Sequence, residues 1–255
     1  YRIVEHACAP LTTHFICVAA RDLERGRRLG IVAEGRGSVI RSGFDLEDFA
    51  PSPQGRERVR AEWRAAAGDV LVVNVSNCKP QKAPLDFVEA AALAAAREPS
   101  LRFALVGDGP LRPRVEALVR ERGLESRFVV AGWRRDVADV LSACDVFALS
   151  SLWEGLPRTV VQARAAGRPV VATAVDGTCE AVEDGVTGCL VPPRDPHAMA
   201  EAIVRLARDA GLRERMALAG SQGLDVFSAL AMVEAQAALH ERLVARDRSP
   251  SSGDR

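Results

Sequence analysis

Val70-Leu71-Val72-Val73-Asn74-Val75-Ser76-Asn77-Cys78-Lys79-Pro80-Gln81-Lys82 runs from a β-branched apolar segment straight into a polar turn, and a helical pattern over 85–97 follows it. A short run that is apolar at almost every position fits a strand covered on both faces, the condition of a parallel sheet. The same alternation continues downstream. Further strands are expected over 101–106, 127–131, 146–150, 169–175 and 189–191, with helices over 111–122, 137–143, 156–166, 178–182 and 196–207. Strands that alternate with helices read as βαβ units joined by right-handed crossovers. The expected fold class is α/β, with a doubly wound parallel sheet.

Outward from this segment the pattern changes. Residues 1–43 hold a helical stretch to about Leu11, an apolar run over 14–20, a charged helix near 21–29 and an extended piece at 38–40, too little to close a core alone. Residues 44–68, with Pro51-Ser52-Pro53-Gln54-Gly55 and a charged helix after it, read as an interdomain linker. That leaves 69–227 as the main domain, an Ala-rich C-terminal helix over 228–246, and a polar tail over 247–255 expected to be disordered. The first residue is Tyr1 rather than Met, with no signal-peptide pattern after it, so the start reads as a cut.

Composition narrows the function. The 34 basic and 34 acidic side chains of the 255 residues cancel, which argues against general nucleic-acid binding and against a polybasic membrane arm. The longest apolar run, 90–96, is far short of the roughly 18 residues of a spanning helix. Six scattered cysteines without a Cys-x-x-Cys pair read as reduced thiols in a cytoplasmic protein. Four dispersed histidines offer no metal-ligand spacing, and neither a metal nor a bound cofactor is expected. Gly107-Asp108-Gly109 starts like a dinucleotide fingerprint, but Arg112 stands at the third glycine position and the turn follows the second strand, which argues against a nicotinamide cofactor.

Ligands of an open parallel sheet bind outside the carboxyl ends of its strands, so the loops there are the candidate sites. The first carries Lys79 and Lys82, the only lysines among 34 basic residues. Either an arginine bias spared two positions, or a compact point charge is required there, as in phosphate-binding loops. The second, Gly107-Asp108-Gly109-Pro110, has little side-chain bulk and lets backbone approach a ligand. The third offers Gly132-Trp133-Arg134, where an amide or an aromatic ring could meet a nucleobase. In the fourth, Glu154-Gly155-Leu156-Pro157 reads as a helix start with proline near its first position, so that the N–H groups of Gly155, Leu156 and Arg158 face an anion. Gln162 can border the same cleft. The alternative makes Glu154 a helix-capping carboxylate and Gln162 a surface amide. The fifth loop is Asp176-Gly177-Thr178.

Together, 75–84, Val106-Gly107-Asp108-Gly109-Pro110-Leu111, Ala131-Gly132-Trp133, Ala143-Cys144-Asp145-Val146-Phe147, Glu154-Gly155-Leu156-Pro157 and Glu183-Asp184-Gly185-Val186-Thr187-Gly188 resemble, in unbroken order over about 69–227, the donor half of retaining glycosyltransferases of family 4. The resemblance implies a GT-B fold, two Rossmann-like domains across a cleft, with 1–43 as a remnant of the N-terminal acceptor domain. It implies metal-independent transfer of a sugar from a nucleotide diphosphate-sugar to an acceptor. Lys82 matches the lysine that contacts the donor diphosphate, and Glu154 the first glutamate of a Glu-x7-Glu motif that addresses sugar hydroxyls. The amides of Gly155 and Leu156 would approach sugar and phosphate. Gly107, Gly109 and the Gly132-Trp133 turn fall in the donor loops, the last two where the base and ribose lie.

Two positions depart from the pattern. Gln162 replaces the second glutamate, and Asn77 stands where an arginine is usual, leaving Lys79 as the substitute charge. The expected partners are a nucleotide-sugar donor and a glycan, lipid or small-molecule acceptor, with peripheral contact to the inner membrane face made through the N-terminal half. Competing readings are a catalytically silent sugar-nucleotide binding or partner-docking module and, ranked last, a GT-B epimerase or phosphorylase.

Overall fold

The computed structural model describes residues 2–248, which divide into two compact units, Leu46–Leu224 and a smaller one formed by the chain through Asp45 together with the chain from Asp225. In the smaller unit, helices α1 (Arg2–Cys8) and α2 (Ala20–Arg28) accompany strands β1 (Phe15–Cys17) and β2 (Gly37–Val39), which pair in parallel. A long helix from Ala229 to Arg248 ends the described chain. It joins this unit because Phe44 bridges to Ser228, with Phe44 N–H on the Phe227 carbonyl and Ala229 N–H on the Phe44 carbonyl. The unit boundary thus falls at 224/225 rather than 227/228. The expected tail lies outside the described residues, except that 247 and 248 continue the helix.

The larger unit opens with helix α3 (Pro53–Glu62), inside the segment expected to be a linker. The signals read as linker are those of a helix start: the Ser52 hydroxyl accepts from the N–H of Gly55 at 3.0 Å, and Pro53 occupies the first turn, where its missing N–H costs nothing. The arginines of α3 are not a solvated face either. Arg56 and Arg60 both reach the carboxylate of Asp145, at 2.6 and 2.8 Å.

Six strands follow: β3 (Val70–Val75), β4 (Leu101–Val106), β5 (Phe128–Gly132), β6 (Val146–Leu149), β7 (Val170–Thr173) and β8 (Gly188–Val191). They pair in the order β5-β4-β3-β6-β7-β8, parallel throughout. This is the doubly wound order, and the direction of winding reverses between β3 and β6. Helices α4 (Pro84–Ala95), α5 (Arg112–Glu121), α6 (Val137–Ala143), α7 (Arg158–Ala165) and α8 (Thr178–Ala181) make the connections, and α9 (Pro196–Arg208) follows the last strand. Val70 and Val72 share a core cluster with Phe87, Phe103 and Phe128, whose rings meet edge-on, tilted or stacked at centroid distances of 5.7 to 6.3 Å. Truncating any one of these rings to Ala removes about 3–5 kcal/mol. Helix α10 (Ala210–Gly220), absent from the sequence expectation, starts one residue after α9 ends, because Asp209 closes one helix and caps the next by accepting from the Leu212 N–H.

Candidate donor site

The loops after β3 and β6 leave the sheet at its switch point and are stitched together. Leu152 N–H donates to the Gln81 carbonyl at 2.8 Å, and the Gln81 side-chain amide donates to the Trp153 carbonyl at 2.9 Å. The Ser150 hydroxyl lies 2.9 Å from the carbonyl oxygens of both Lys82 and Ala83. Ala83 itself is held in the left-handed region, φ 41° and ψ 53°, and from there Pro84 opens α4. Strain of this kind costs about 1–3 kcal/mol and persists only where the surroundings fix it. Its result is that Lys82 projects across to the fourth loop.

There the Lys82 ammonium donates to Glu154 Oε1 at 2.5 Å, and the hydroxyl of fully buried Ser151 donates to the same oxygen at 2.5 Å. The Glu154 side chain is 6% exposed and that of Lys82 17%, so the pair is screened little by water. The Glu154 N–H donates to Asp176 Oδ2 at 3.2 Å, which ties in the fifth loop; Asp176 holds a positive φ of 34° to do so.

Lys82 and Glu154 share a cavity of about 380 Å³ with Asn77, Gly107, Trp133, Leu156, Pro157, Arg158 and Thr159. That volume suits a small organic ligand. Trp133 presents a largely exposed ring, 66% accessible, with the Arg135 guanidinium 5.5 Å from its centroid. Arg134, also in the wall, is clamped by Glu62 and Asp136. The Arg134 hydrogen bonds, with that of Arg58 after them, hold the Asp136 carboxyl far below the usual carboxylate range. At the opposite wall α7 begins at Arg158, two residues later than expected, with Pro157 as its N-cap residue and no side chain capping it. The positive end of its dipole therefore meets the cavity.

Lys79, Gly109, Gly132, Gly155 and Gln162 are not among the residues that line the cavity. Lys79 precedes the single turn Pro80–Lys82, whose geometry sends only the later lysine into the site. Gly107 and Gly109 hold φ near 142° and 148°, and a Cβ there would meet the Ser76 carbonyl oxygen at 2.0 Å or that of Cys78 at 2.7 Å. These glycines make room for the neighbouring loop. Ser76, Val137 and Thr159 line the cavity without a motif to mark them, while Ser151 and Asp176 stand behind Glu154 and outside the lining. Burial pushes the Cys78 thiol up, and its sulfur packs on the Gly107 carbonyl rather than serving as a nucleophile. No group of His, Cys, Asp and Glu that could hold a metal occurs among the described residues, and no described helix is long and apolar enough to cross a membrane. A cavity of about 530 Å³ in the smaller unit, lined among others by His14, Ser38, Arg242 and Arg246, contains none of the motif residues.

Residues 69–209 match the family described as Glycosyl transferases group 1. A UDP-Gal:alpha-D-GlcNAc-diphosphoundecaprenol alpha-1,3-galactosyltransferase of Escherichia coli is 32% identical over 212 residues, 82% of this chain and 55% of that protein. A D-inositol 3-phosphate glycosyltransferase of Kribbella flavida is 38% identical over 200 residues, 74% of this chain and 47% of that protein. The structure of HepE from Anabaena in complex with UDP and glucose has a TM-score of 0.87 at 23% identity, covering 95% of this chain and 68% of that one, a likeness of fold. The chain spans about half the length of the two sequence relatives. With the family match extending over more than half of its residues, the chain belongs to the group 1 glycosyltransferase family.

Proposed function

We propose that this chain is the donor-binding part of a family 4 glycosyltransferase, which transfers a sugar from a nucleotide diphosphate-sugar to an acceptor with retention of anomeric configuration, without a metal, in cell-surface polysaccharide or glycoconjugate synthesis. The observation that carries the reading is the Lys82–Glu154 pair at the switch point, beside the N-terminus of α7. The diphosphate lies between the Lys82 ammonium and the first turn of α7. Lys82 has three donor hydrogens, one engaged by Glu154, so two remain for phosphate oxygens. Trp133 offers a flat apolar surface for the base, and Glu154 accepts from a sugar hydroxyl.

In the reaction the bond from the anomeric carbon to the diphosphate oxygen breaks and a bond to the acceptor oxygen forms on the same face. Negative charge grows on the leaving diphosphate, where a lysine and a helix N-terminus in a partly dry cavity stabilise it. The acceptor proton passes to that leaving phosphate, so no side-chain nucleophile is required. We place the reaction on the cytoplasmic side, with peripheral contact to the inner membrane face made outside the α/β unit. This chain by itself is expected to bind donor weakly and not to turn over.

The test is calorimetric titration with UDP, GDP and ADP. One of them is expected to bind, and Lys82→Ala to weaken it by about 1.5–3 kcal/mol, the range of a charge-assisted hydrogen bond. An unchanged Kd in the variant removes Lys82 from the site. Binding without transfer in a chain that carries both GT-B domains would favour a silent sugar-nucleotide module, a reading motivated by uncharged Asn77 in the cavity wall.

A further inference from the structure

Glu154 spends its two carboxylate oxygens unequally. Oε1 receives both Lys82 and Ser151, at 2.5 Å each. Oε2 has no protein partner among the described residues and is not one of the sealed, unsatisfied polar atoms, so it opens on the cavity that Glu154 lines. Behind this arrangement stands a chain of buried groups. Ser151 is fully buried, and its carbonyl accepts from the hydroxyl of Thr173, 3% exposed, at 2.5 Å. Neither Ser151 nor Thr173 lines the cavity.

Lys82 has two demands on it once a diphosphate arrives, because the ammonium that serves Oε1 also faces the phosphate oxygens. As the ammonium shifts toward the greater negative charge, Oε1 loses part of its partner. A buried carboxylate left without donors is strongly disfavoured, and it would rotate or draw in water. Ser151 prevents this, since its hydroxyl donates to Oε1 whether or not Lys82 does.

We propose that Ser151 is a positioning residue for the donor sugar: it pins Oε1 of Glu154 from behind, keeps Oε2 directed to the sugar hydroxyls, and frees Lys82 to engage the diphosphate. The assignment rests on the donor-site reading above. It separates two contributions within one site, with Lys82 governing affinity for the nucleoside diphosphate and Ser151 governing the increment due to the sugar.

The experiment compares the protein with its Ser151→Ala variant, taking calorimetric Kd values for the nucleoside diphosphate that binds and for the matching nucleotide-sugar. In Ser151→Ala the Kd for the nucleoside diphosphate is expected to stay within twofold, while the ratio of nucleotide-sugar Kd to nucleoside diphosphate Kd rises about tenfold, the weight of a hydrogen bond to a charged group. A merely structural role would weaken both ligands alike and leave the ratio unmoved, and an unmoved ratio overturns the proposal. Thr173→Val, isosteric and off the cavity, is expected to move the ratio in the same direction by a smaller factor, and it serves as the test if Ser151→Ala does not fold. Failure of the parent protein to bind any of the three nucleoside diphosphates would instead refute the donor-site reading, which is distinguishable because it requires no variant.

Discussion

Asp145 is the residue whose removal tests how the α/β unit is fastened together. It stands at the entrance of β6, and its backbone and side chain both address β3: its N–H donates to the Leu71 carbonyl at 2.8 Å, and its Oδ2 accepts from the Leu71 N–H at 2.8 Å. The same carboxylate receives Arg56 and Arg60 from α3, and Arg56 continues to the carbonyls of Ser142, Ala143 and Cys144. Asp145→Ala therefore takes an acceptor from three donors, although Arg60 keeps the carbonyls of Ala66, Asp69 and Ala143. The Leu71 N–H loses its side-chain partner, a penalty of about 1–3 kcal/mol for a buried group. Arg60, its side chain only 10% exposed, loses its counter-charge, and breaking a buried pair from one side costs about 3–5 kcal/mol. Arg56 is 36% exposed, so water and salt reduce its share to about 1 kcal/mol at most. These penalties belong to one carboxylate and overlap, so the expected loss is about 3–5 kcal/mol rather than their sum.

Urea unfolding measures it. With a slope of about 2–3 kcal/mol per molar, the midpoint should fall by about 1–2.5 M. Trp63, which ends α3 and is 7% exposed, is a suitable fluorescent reporter, since Trp133 and Trp153 are already exposed. A loss under 1 kcal/mol, or a full loss that Arg60→Ala neither shares nor couples to in a double-mutant cycle, would refute the reasoning and return α3 to the status of a linker.

Two further outcomes follow from the same structure. For Asp145, burial alone would raise the carboxyl, but the Leu71 N–H and the Arg56 and Arg60 guanidinium groups outweigh it and hold the folded-state pKa below the unfolded value; for Asp136, Arg134 does so. A depressed carboxylate contributes its stability above the unfolded pKa, about 4, and loses it as pH falls through the folded value; the urea midpoint should be flat from pH 7 to 5 and drop by pH 3, and a midpoint that holds or rises at pH 3 contradicts this. Gly107→Ala should destabilise by more than 2 kcal/mol in thermal or urea unfolding, because the new Cβ meets the Ser76 carbonyl oxygen at 2.0 Å, whereas Gly123→Ala, with φ +64° and nothing within 4 Å, should cost only about 1–2 kcal/mol; equal losses would mean that the loop beside Ser76 yields.

The strands are legible because each is a short β-branched run bounded by turn residues, and the loops that carry Lys82 and Glu154 because a doubly wound order places the connections after β3 and β6 at the switch point whatever their details. What the sequence concealed was non-local or backbone in nature. Pro51 to Gly55 looks the same in a linker and at a helix start, and only the meeting of Arg56 and Arg60 with Asp145 decides between them. Helix α10 escapes a reading based on glycine and proline breaks, since Asp209 alone ends α9 and caps α10. Of two lysines three residues apart, the left-handed turn at Ala83 selects one, and nothing in the residue names marks that turn. At Gly107 and Gly109 the missing side chain leaves room for the Ser76 and Cys78 carbonyls, and Gly107 also lines the cavity.

The same geometry accounts for a lysine at position 82 in a chain whose other cations, Lys79 aside, are arginines. A guanidinium meets a carboxylate as a planar fork and tends to engage both oxygens. At Glu154 that would occupy Oε2 together with Oε1, and it would compete with the Ser151 hydroxyl for the latter. An ammonium is a point charge with three donors spread around it, so it can take one proton to Oε1 beside Ser151 and turn the others to the cavity. Lysine thus satisfies the buried carboxylate on one oxygen only, leaving the other oxygen and two of its own protons facing the same space. An acceptor for a hydroxyl and a donor pair for an anion then stand side by side, the arrangement that the proposed donor, a sugar joined to a diphosphate, requires.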